Sequence, residues 1–216
     1  MNEQELRIIK MNHEMQQTSL KEKCEVELDQ DDINKQVKSG EVVFLDTALL
    51  MKRVPFGDYY TMMIPENFDK MRDEFIKRKY PNEERPQLVY TNPSTQINIT
   101  FSETPHEVSN SGLETFVYNV LSTIRKAQPT TSIISDGVKQ ISDSGINVGY
   151  FDFVTPSIDK EIYNFMIIFL HQEKANFITI NCPEEMKHIW KPLAYGMMES
   201  LQKQEGKRND YRKYLK

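Results

Sequence analysis

The sequence has 216 residues, a formal net charge of −5, 38% hydrophobic and 27% charged residues, and a mean hydropathy of −0.60. These values predict one soluble domain with extensions and exclude a wholly disordered chain. The 8 glycines are scattered, and no two lie within three residues of each other. That spacing excludes a glycine-rich phosphate loop and a dinucleotide-binding fingerprint, which both need clustered glycines.

The charge is distributed unevenly along the chain. Residues 1–40, 41–202 and 203–216 carry net charges of −3, −6 and +4. We therefore predict a polar acidic N-terminal extension over 1–40, a single α/β domain over 41–202 and a basic C-terminal tail over 203–216. An acidic body gives no support for nucleic-acid binding, which depends on neutralising phosphates. We predict that the basic tail is solvated, with an acidic partner or an anionic membrane as its alternative contacts; its cations are Lys207, Arg208, Arg212, Lys213 and Lys216.

Targeting features favour a cytoplasmic location. Cys24 and Cys182 lie far apart and predict no disulfide framework, as expected in a reducing compartment. The N-terminus has no apolar segment typical of a signal peptide. The longest apolar run, Phe165–Leu170, is far shorter than the ~20 residues of a membrane-spanning helix. We expect no membrane span.

The first half of the predicted domain is rich in strands. Val42–Leu50 and Asp58–Ile64 predict two strands, separated by a turn at Pro55-Phe56-Gly57. The spacing of apolar residues over Glu66–Tyr80 predicts a short helix. Two further strands, 87–91 and 95–102, flank Asn92-Pro93-Ser94 and predict a hairpin whose second strand is half-buried.

The clearest helix signal covers residues 112–127. Its apolar residues recur at helical spacing, Ser111 and Glu114 form a capping box, and Pro129 marks the end. The apolar stripe consists of Leu113, Phe116, Val117, Val120, Leu121 and Ile124.

Four strands and a closing helix complete the predicted domain. Strands are expected near 131–140, 145–154, 161–171 and 175–182, and their short links indicate antiparallel pairing. A final helix follows Pro183, and Pro192 is expected to kink or restart it. The predicted fold class is α+β, an α/β/α sandwich with a central antiparallel sheet and two long amphipathic helices.

Three groups of residues carry a resemblance to a known family. They are the strand with its Pro-x-x-aromatic exit at 59–68, the hairpin segments 88–90 and 96–100, and the closing-helix segments 190–193 and 199–201. In this order they resemble the PsbP-like superfamily, and its DcrB-like bacterial branch in particular. The resemblance covers about 41–202. It implies a non-enzymatic binding protein, since members of this group are mostly binding proteins without a shared active site and some are chaperones for secreted effectors.

Side chains capable of metal or nucleophilic chemistry are few and dispersed. His13, His106, His171 and His188 include no pair at local metal-ligand spacing. Cys182 and His188 are expected on different faces, with Cys182 as a buried structural thiol. Residues 29–32 match a calcium loop for only three positions. They are better explained as the cap of a helical turn containing Ile33 and Val37.

Two further features have more than one interpretation. Asp152 lies between Phe151 and Phe153. We expect the aromatic rings in the core and the carboxylate in solvent, with an inward carboxylate at a pocket as the alternative. The adjacent pairs Met62-Met63 and Met197-Met198 predict one core methionine in each pair, with a methionine-lined binding surface as the alternative.

These observations favour a non-enzymatic cytoplasmic interaction module, for example a chaperone or adaptor for a secreted or assembled partner. We expect a protein or peptide partner on one sheet face or at an exposed edge. We expect no catalytic residues, cofactor or metal; the binding residues and the oligomeric state stay open. One alternative is a small-ligand-binding protein or enzyme with dispersed site residues around Asp152 or His171. Another is a structural subunit that uses residues 1–40 as a docking arm.

Overall fold

A computed structural model describes residues 29–44, 47–83, 85–107, 112–157 and 160–204, with the side chains of 105–107 left out. The helices are α1 (Gln30–Ser39), α2 (Asp73–Lys79), α3 (Gly112–Ala127) and α4 (Lys187–Glu199), and a short 3-10 helix, Glu184–Met186, precedes α4. The strands are β1 (Glu41–Phe44), β2 (Thr47–Phe56), β3 (Tyr60–Pro65), β4 (Asp69–Lys70), β5 (Leu88–Thr91), β6 (Asn98–Glu107), β7 (Ser132–Gln140), β8 (Asn147–Thr155), β9 (Ile162–His171), β10 (Lys174–Pro183) and β11 (Gln202–Lys203).

The strands form two antiparallel sheets. The larger sheet has seven strands in the order β4-β5-β6-β10-β9-β8-β7, and the smaller has four in the order β1-β2-β3-β11. The mixed α+β class and the antiparallel pairing predicted from the sequence are confirmed. The prediction that all strands share one sheet is wrong, because β1, β2 and β3 pair with one another and with β11, and form no pairs with β4 to β10.

Both faces of the seven-stranded sheet are buried along its central strands, β8, β9 and β10. Phe165, Ile167 and Phe169 of β9 point into a core shared with α1, α4 and the smaller sheet. Ile168 and Met166 point to the opposite face, where α3 covers them. Two buried faces explain why this strand is a continuous apolar run in the sequence and not an alternating one.

Helix α3 has the bounds predicted from its apolar stripe, whereas the Ser111 part of the predicted cap lies outside the described residues. The helix packs closely on β8 at Gly149. A Cβ atom placed on Gly149 would overlap Cγ2 of Val117. The absence of a side chain at Gly149 therefore sets the distance between α3 and the sheet.

Helix α1 packs against α4. Asp29 caps it by accepting a hydrogen bond from the backbone N–H of Asp31 at 3.0 Å, which confirms the predicted helical cap. Ile33 and Val37 are buried, and a Cβ on Gly196 would lie 2.7 Å from Cγ2 of Val37. The packed structure therefore extends N-terminal to residue 41. The limits of the predicted extension and tail stay predictions, because 1–28 and 205–216 lie outside the described residues.

Two strand predictions in the first half differ from the structure. The predicted strand over Val42–Leu50 is divided between β1 and β2, and β2 continues to Phe56, so that the turn lies at 57–59. Asn98 and Thr100 of β6 are buried as well as the apolar side chains between them. The strand is therefore buried on both faces at this point. Burial of the polar Asn98 is possible because its side chain forms hydrogen bonds with Lys79 and Asn181.

One helix prediction needs correction, and one of two alternatives for the closing helix is removed. The helix predicted over Glu66–Tyr80 begins only at Asp73, because the backbone before it joins the sheet through Lys70, which pairs with Tyr90. Helix α4 continues through Pro192 without restarting. A proline removes a single backbone donor, and the buried side chains along α4 hold the remaining turns in place.

We predict that Gly149→Ala lowers the free energy of unfolding by about 1–3 kcal/mol, because the added methyl group overlaps Val117. Urea unfolding measures the change. The double variant Gly149→Ala/Val117→Ala removes the overlapping atoms and should lose less stability than the sum of the two single variants. Additive losses in this cycle would contradict the close approach of α3.

Candidate functional site

The covered faces of the seven-stranded sheet leave its edges for binding. Its two edge strands are β7, with nine residues, and β4, with two. The edge strands of the smaller sheet, β1 and β11, have four and two residues. Among the described residues β7 pairs only with β8, so β7 is the longest edge with unpaired backbone donors and acceptors.

A groove of about 690 Å³ lies between β7 and α3, and we call it the β7 groove. Apolar side chains are exposed along it: Tyr118 of α3 is 68% and Val138 of β7 is 43% accessible to solvent. The lining residues are Glu114, Thr115, Val117, Tyr118, Leu121, Asp136, Gly137 and Val138. An edge strand beside exposed apolar side chains suits an extended peptide.

The charge of the β7 groove is negative. Its two charged lining residues are Glu114 and Asp136, and neither forms an ion pair with another described residue. Both are exposed. The groove therefore combines apolar contacts with unpaired carboxylates, which favours a ligand with apolar and basic side chains.

The pairing of β7 with β8 is regular over only part of its length. The register shifts between Ile133 and Ser135, leaving Ile134 unpaired and exposed, and then runs without interruption from Ser135 to Gln140. A bulge of this kind disrupts the edge for strand pairing. The stretch Ser135–Gln140 is therefore the part of β7 that can accept an additional strand.

Asp152 points inward, so the expectation that its carboxylate faces solvent is wrong. The residue is fully buried on the face covered by α4, and Phe151 and Phe153 point to the α3 face. Because both faces of the sheet are covered, the alternation of side chains along β8 carries the carboxylate into one core and the rings into the other.

The Asp152 carboxylate is fully partnered. Ser135 donates to Oδ1, Tyr163 donates to Oδ2 at 3.1 Å, and Lys191 of α4 reaches Oδ2 at 3.0 Å. Burial, followed by the charge of Asp152, raises the pKa of Tyr163 above its usual range. Burial likewise raises the pKa of Tyr195, which lies 3.5 Å from the Ser135 hydroxyl, to about 12. These phenols stay protonated at neutral pH, and the cluster links β7, β8, β9 and α4 as a structural network.

His171 lies at the rim between the two sheets and lines two cavities. Its Nδ1 is 3.0 Å from the hydroxyl of Tyr60, and its buried Nε2 has no hydrogen-bond partner among the described residues. One cavity, of about 160 Å³, is also lined by Glu103 and Asn176, and the other, of about 470 Å³, by Asn147. His171 therefore lies at a cavity, whereas Asp152 is fully buried.

The other chemically active side chains are not brought together. Cys182 is buried in the main core, whereas Nδ1 of His188 lies 3.0 Å from the backbone oxygen of Glu185. Within the described ranges, no group of three or more His, Cys, Asp or Glu side chains could hold a metal ion. His13, Cys24 and the side chain of His106 lie outside the described residues, as does the basic tail from 205.

The paired methionines do not form a surface. Both methionines of each pair are buried, whereas the sequence predicted one core methionine in each pair. The four residues are Met62, Met63, Met197 and Met198. All four belong to the main core cluster. The exposed apolar side chains near α3 and β7 are the better candidates for contact with a partner.

We predict strong coupling between Asp152 and Lys191. Lys191→Met leaves a buried carboxylate without its cation and should lower the free energy of unfolding by about 3–5 kcal/mol. Adding Asp152→Asn should recover part of that loss, because the charge is removed as well. Urea unfolding of both single variants and the double variant measures the coupling.

Lys35→Met breaks the exposed pair with Asp32 and serves as the control, with a change below about 1 kcal/mol. Independent, additive effects at Asp152 and Lys191 would contradict the network.

We predict that Cys182 is unreactive in the folded protein. Burial, with a smaller effect from Glu184 and Glu185, raises the pKa of its thiol to about 12. At about pH 8 only about one molecule in 10,000 then carries the reactive thiolate. In a Cys24→Ser variant, a disulfide reagent should label the remaining thiol quickly in urea and very slowly without it. Equal labelling rates would show that Cys182 is accessible.

None of the helices in the described ranges is long and apolar enough to cross a bilayer.

No model of a known protein family matches the sequence, and no curated protein sequence matches it.

Similar folds are found among solved structures. Cyanobacterial PsbP (CyanoP) from Synechocystis sp. PCC 6803 superimposes with a TM-score of 0.53 at 11% identity, covering 76% of this chain and 98% of that chain. LpqN of Mycobacterium tuberculosis, involved in cell envelope biogenesis, gives a TM-score of 0.46 at 10% identity, covering 73% of this chain and 92% of its own. At these identities the likeness concerns the fold alone. The chain has a PsbP-like fold.

Proposed function

We propose that this protein is a non-enzymatic interaction module that binds an extended segment of a protein partner in the β7 groove. The observation that carries the proposal is the regular, unpaired edge at Ser135–Gln140 beside the exposed side chains of Tyr118 and Val138. Binding by strand addition uses backbone groups that any extended peptide offers. The module therefore needs no catalytic group.

Selectivity for the segment would come from its side chains. Successive side chains of an added strand point to opposite faces, so every second one faces α3. Apolar side chains there would contact Tyr118 and Val138. Basic side chains at the same face would meet Glu114 and Asp136, which have no cationic partner among the described residues. The preferred segment is therefore extended, apolar and basic.

The seven-stranded sheet, with α3 on one face and α4 on the other, would form the α/β/α sandwich. Membership of the DcrB-like branch, a chaperone or adaptor role and a cytoplasmic location are proposed with it. The free, buried thiol of Cys182 is compatible with a reducing compartment.

A second candidate function rests on His171. Its unpartnered Nε2, together with nearby polar groups such as Asn176 and Glu103, favours a small polar ligand at the rim between the sheets. Asp152 has no part in this alternative, because its oxygens are already bonded. A ligand bound at this rim would shift the NMR signals of Asn176 and leave those of β7 unchanged.

Titration of the full chain with a short peptide of alternating lysine and valine tests the proposal, followed by the backbone NMR signals of the protein. We expect saturable shifts confined to Ser135–Gln140 and α3, and weaker binding of a peptide with glutamate in place of lysine. Val138→Lys places a cation in the acidic groove and should weaken binding of the lysine peptide about tenfold. Val138 is already 43% accessible to solvent, so the variant should fold.

Val43→Lys is the matched control, because Val43 is exposed on β1, an edge strand of the other sheet. Its binding should stay within about twofold of the unmodified protein. Equal weakening by both variants, or shifts at β1 in place of β7, would overturn the assignment of the β7 groove.

A further inference from the structure

The opposite edge of the seven-stranded sheet carries a second groove with the reverse charge. It has a volume of about 570 Å³ and lies between α2 and the strands β4 and β5. Lys70, Arg72, Arg78 and Lys79 line it, and no carboxylate is among its lining residues. The whole protein has a net charge of −5, so these four cations form a local positive patch. The patch lies in a hollow of the surface.

Lys79 is held in place without a counter-charge. Its ammonium donates to the backbone oxygen of Thr95 at 2.7 Å and to Oδ1 of Asn98 at 3.0 Å. Both acceptors are neutral, and partial burial lowers the pKa of Lys79. The ammonium therefore has two neutral acceptors and no anion among the described residues, and one of its three N–H groups stays free of these bonds.

The two acceptors around Lys79 are themselves fixed. Asn98 is 2% accessible to solvent and donates to Oδ1 of Asn181. Thr95 has a φ of 58°, a left-handed conformation that a β-branched residue adopts at a cost. This turn directs the Thr95 carbonyl at Lys79, so the position of the cation is built into the fold.

The two arginines are arranged around Phe75. The guanidinium carbon of Arg72 lies 4.7 Å, and that of Arg78 5.8 Å, from the centre of its ring. Such contacts restrict the side chains while leaving the N–H groups free for an anion. Arg72 also has an exposed contact with Glu74 at 3.3 Å, whereas Arg78 has no ion pair with a described residue.

We propose that this groove binds a phosphate group, whether as a free anion or as the ester of a small molecule. Four cations from β4, α2 and the link between them converge on one hollow. A compact dianion can contact several of them at once, whereas an extended acidic peptide spreads its charges along its length. Guanidinium groups bind phosphate oxygens in pairs, and the fixed ammonium of Lys79 supplies a further charged donor.

Titration of the full chain with inorganic phosphate and with phenyl phosphate tests this site, followed by the NMR signals of Thr91, Thr95 and α2. We expect saturable shifts at these residues with both probes. Tighter binding of phenyl phosphate would identify a phosphate ester as the preferred source, and equal binding would identify free phosphate. Benzoate carries one charge and should bind about tenfold more weakly than phenyl phosphate.

Lys79→Gln and Arg78→Gln should each weaken phenyl phosphate binding about tenfold. Lys35→Gln makes the same charge change on α1, which contributes no residue to the lining of this groove, and should stay within about twofold. Arg78 is exposed, so its variant keeps the test valid if Lys79→Gln does not fold. No saturable binding, equal effects of all three variants, or tighter binding of a hexaglutamate peptide would overturn the proposal.

Discussion

The central strands of the seven-stranded sheet are covered on both faces, and this coverage determines where the protein can bind a ligand. Helix α3 approaches one face so closely that Gly149 has no space for a side chain, and α4 with the smaller sheet closes the other. Close packing of this kind excludes ligands from the faces. It also determines the environment of Asp152, which enters a core and requires Ser135, Tyr163 and Lys191 as partners. Binding is thereby left to the edges of the sheet.

The two edges of this sheet differ in charge. The β7 groove presents Glu114 and Asp136, and the groove beside β4 presents Lys70, Arg72, Arg78 and Lys79. The net charge of the whole chain conceals this division, because exposed charges act mainly within about a Debye length of ~10 Å. Because the two grooves lie at opposite edges and carry opposite charges, a basic segment and a phosphate group can bind without competing.

Sequence patterns predicted many of the helices and strands well. They did not predict how these elements pack against one another. The bounds of α3 follow from a stripe of apolar residues at helical spacing, and β8, β9 and β10 follow from short links between apolar runs. The direction of Asp152 could not be predicted, because alternation along a strand does not say how many faces are buried. The position of β7 at the edge of the sheet could not be predicted either, because it depends on which strands pair in the assembled sheet. The close approaches at Gly149 and Gly196 likewise depend on which helix lies above each glycine.

Amide hydrogen exchange of the full chain, followed residue by residue by NMR, tests whether the centre of the sheet is covered and the β7 edge is open. We expect amides of β9 and β10, at the centre of the sheet, to exchange only through global unfolding. Alternate amides of Ser135–Gln140, which lack a partner strand among the described residues, should exchange nearly as fast as those of an unfolded peptide. Protection of all amides in Ser135–Gln140 would show that the edge is already covered, and would contradict a binding site at β7.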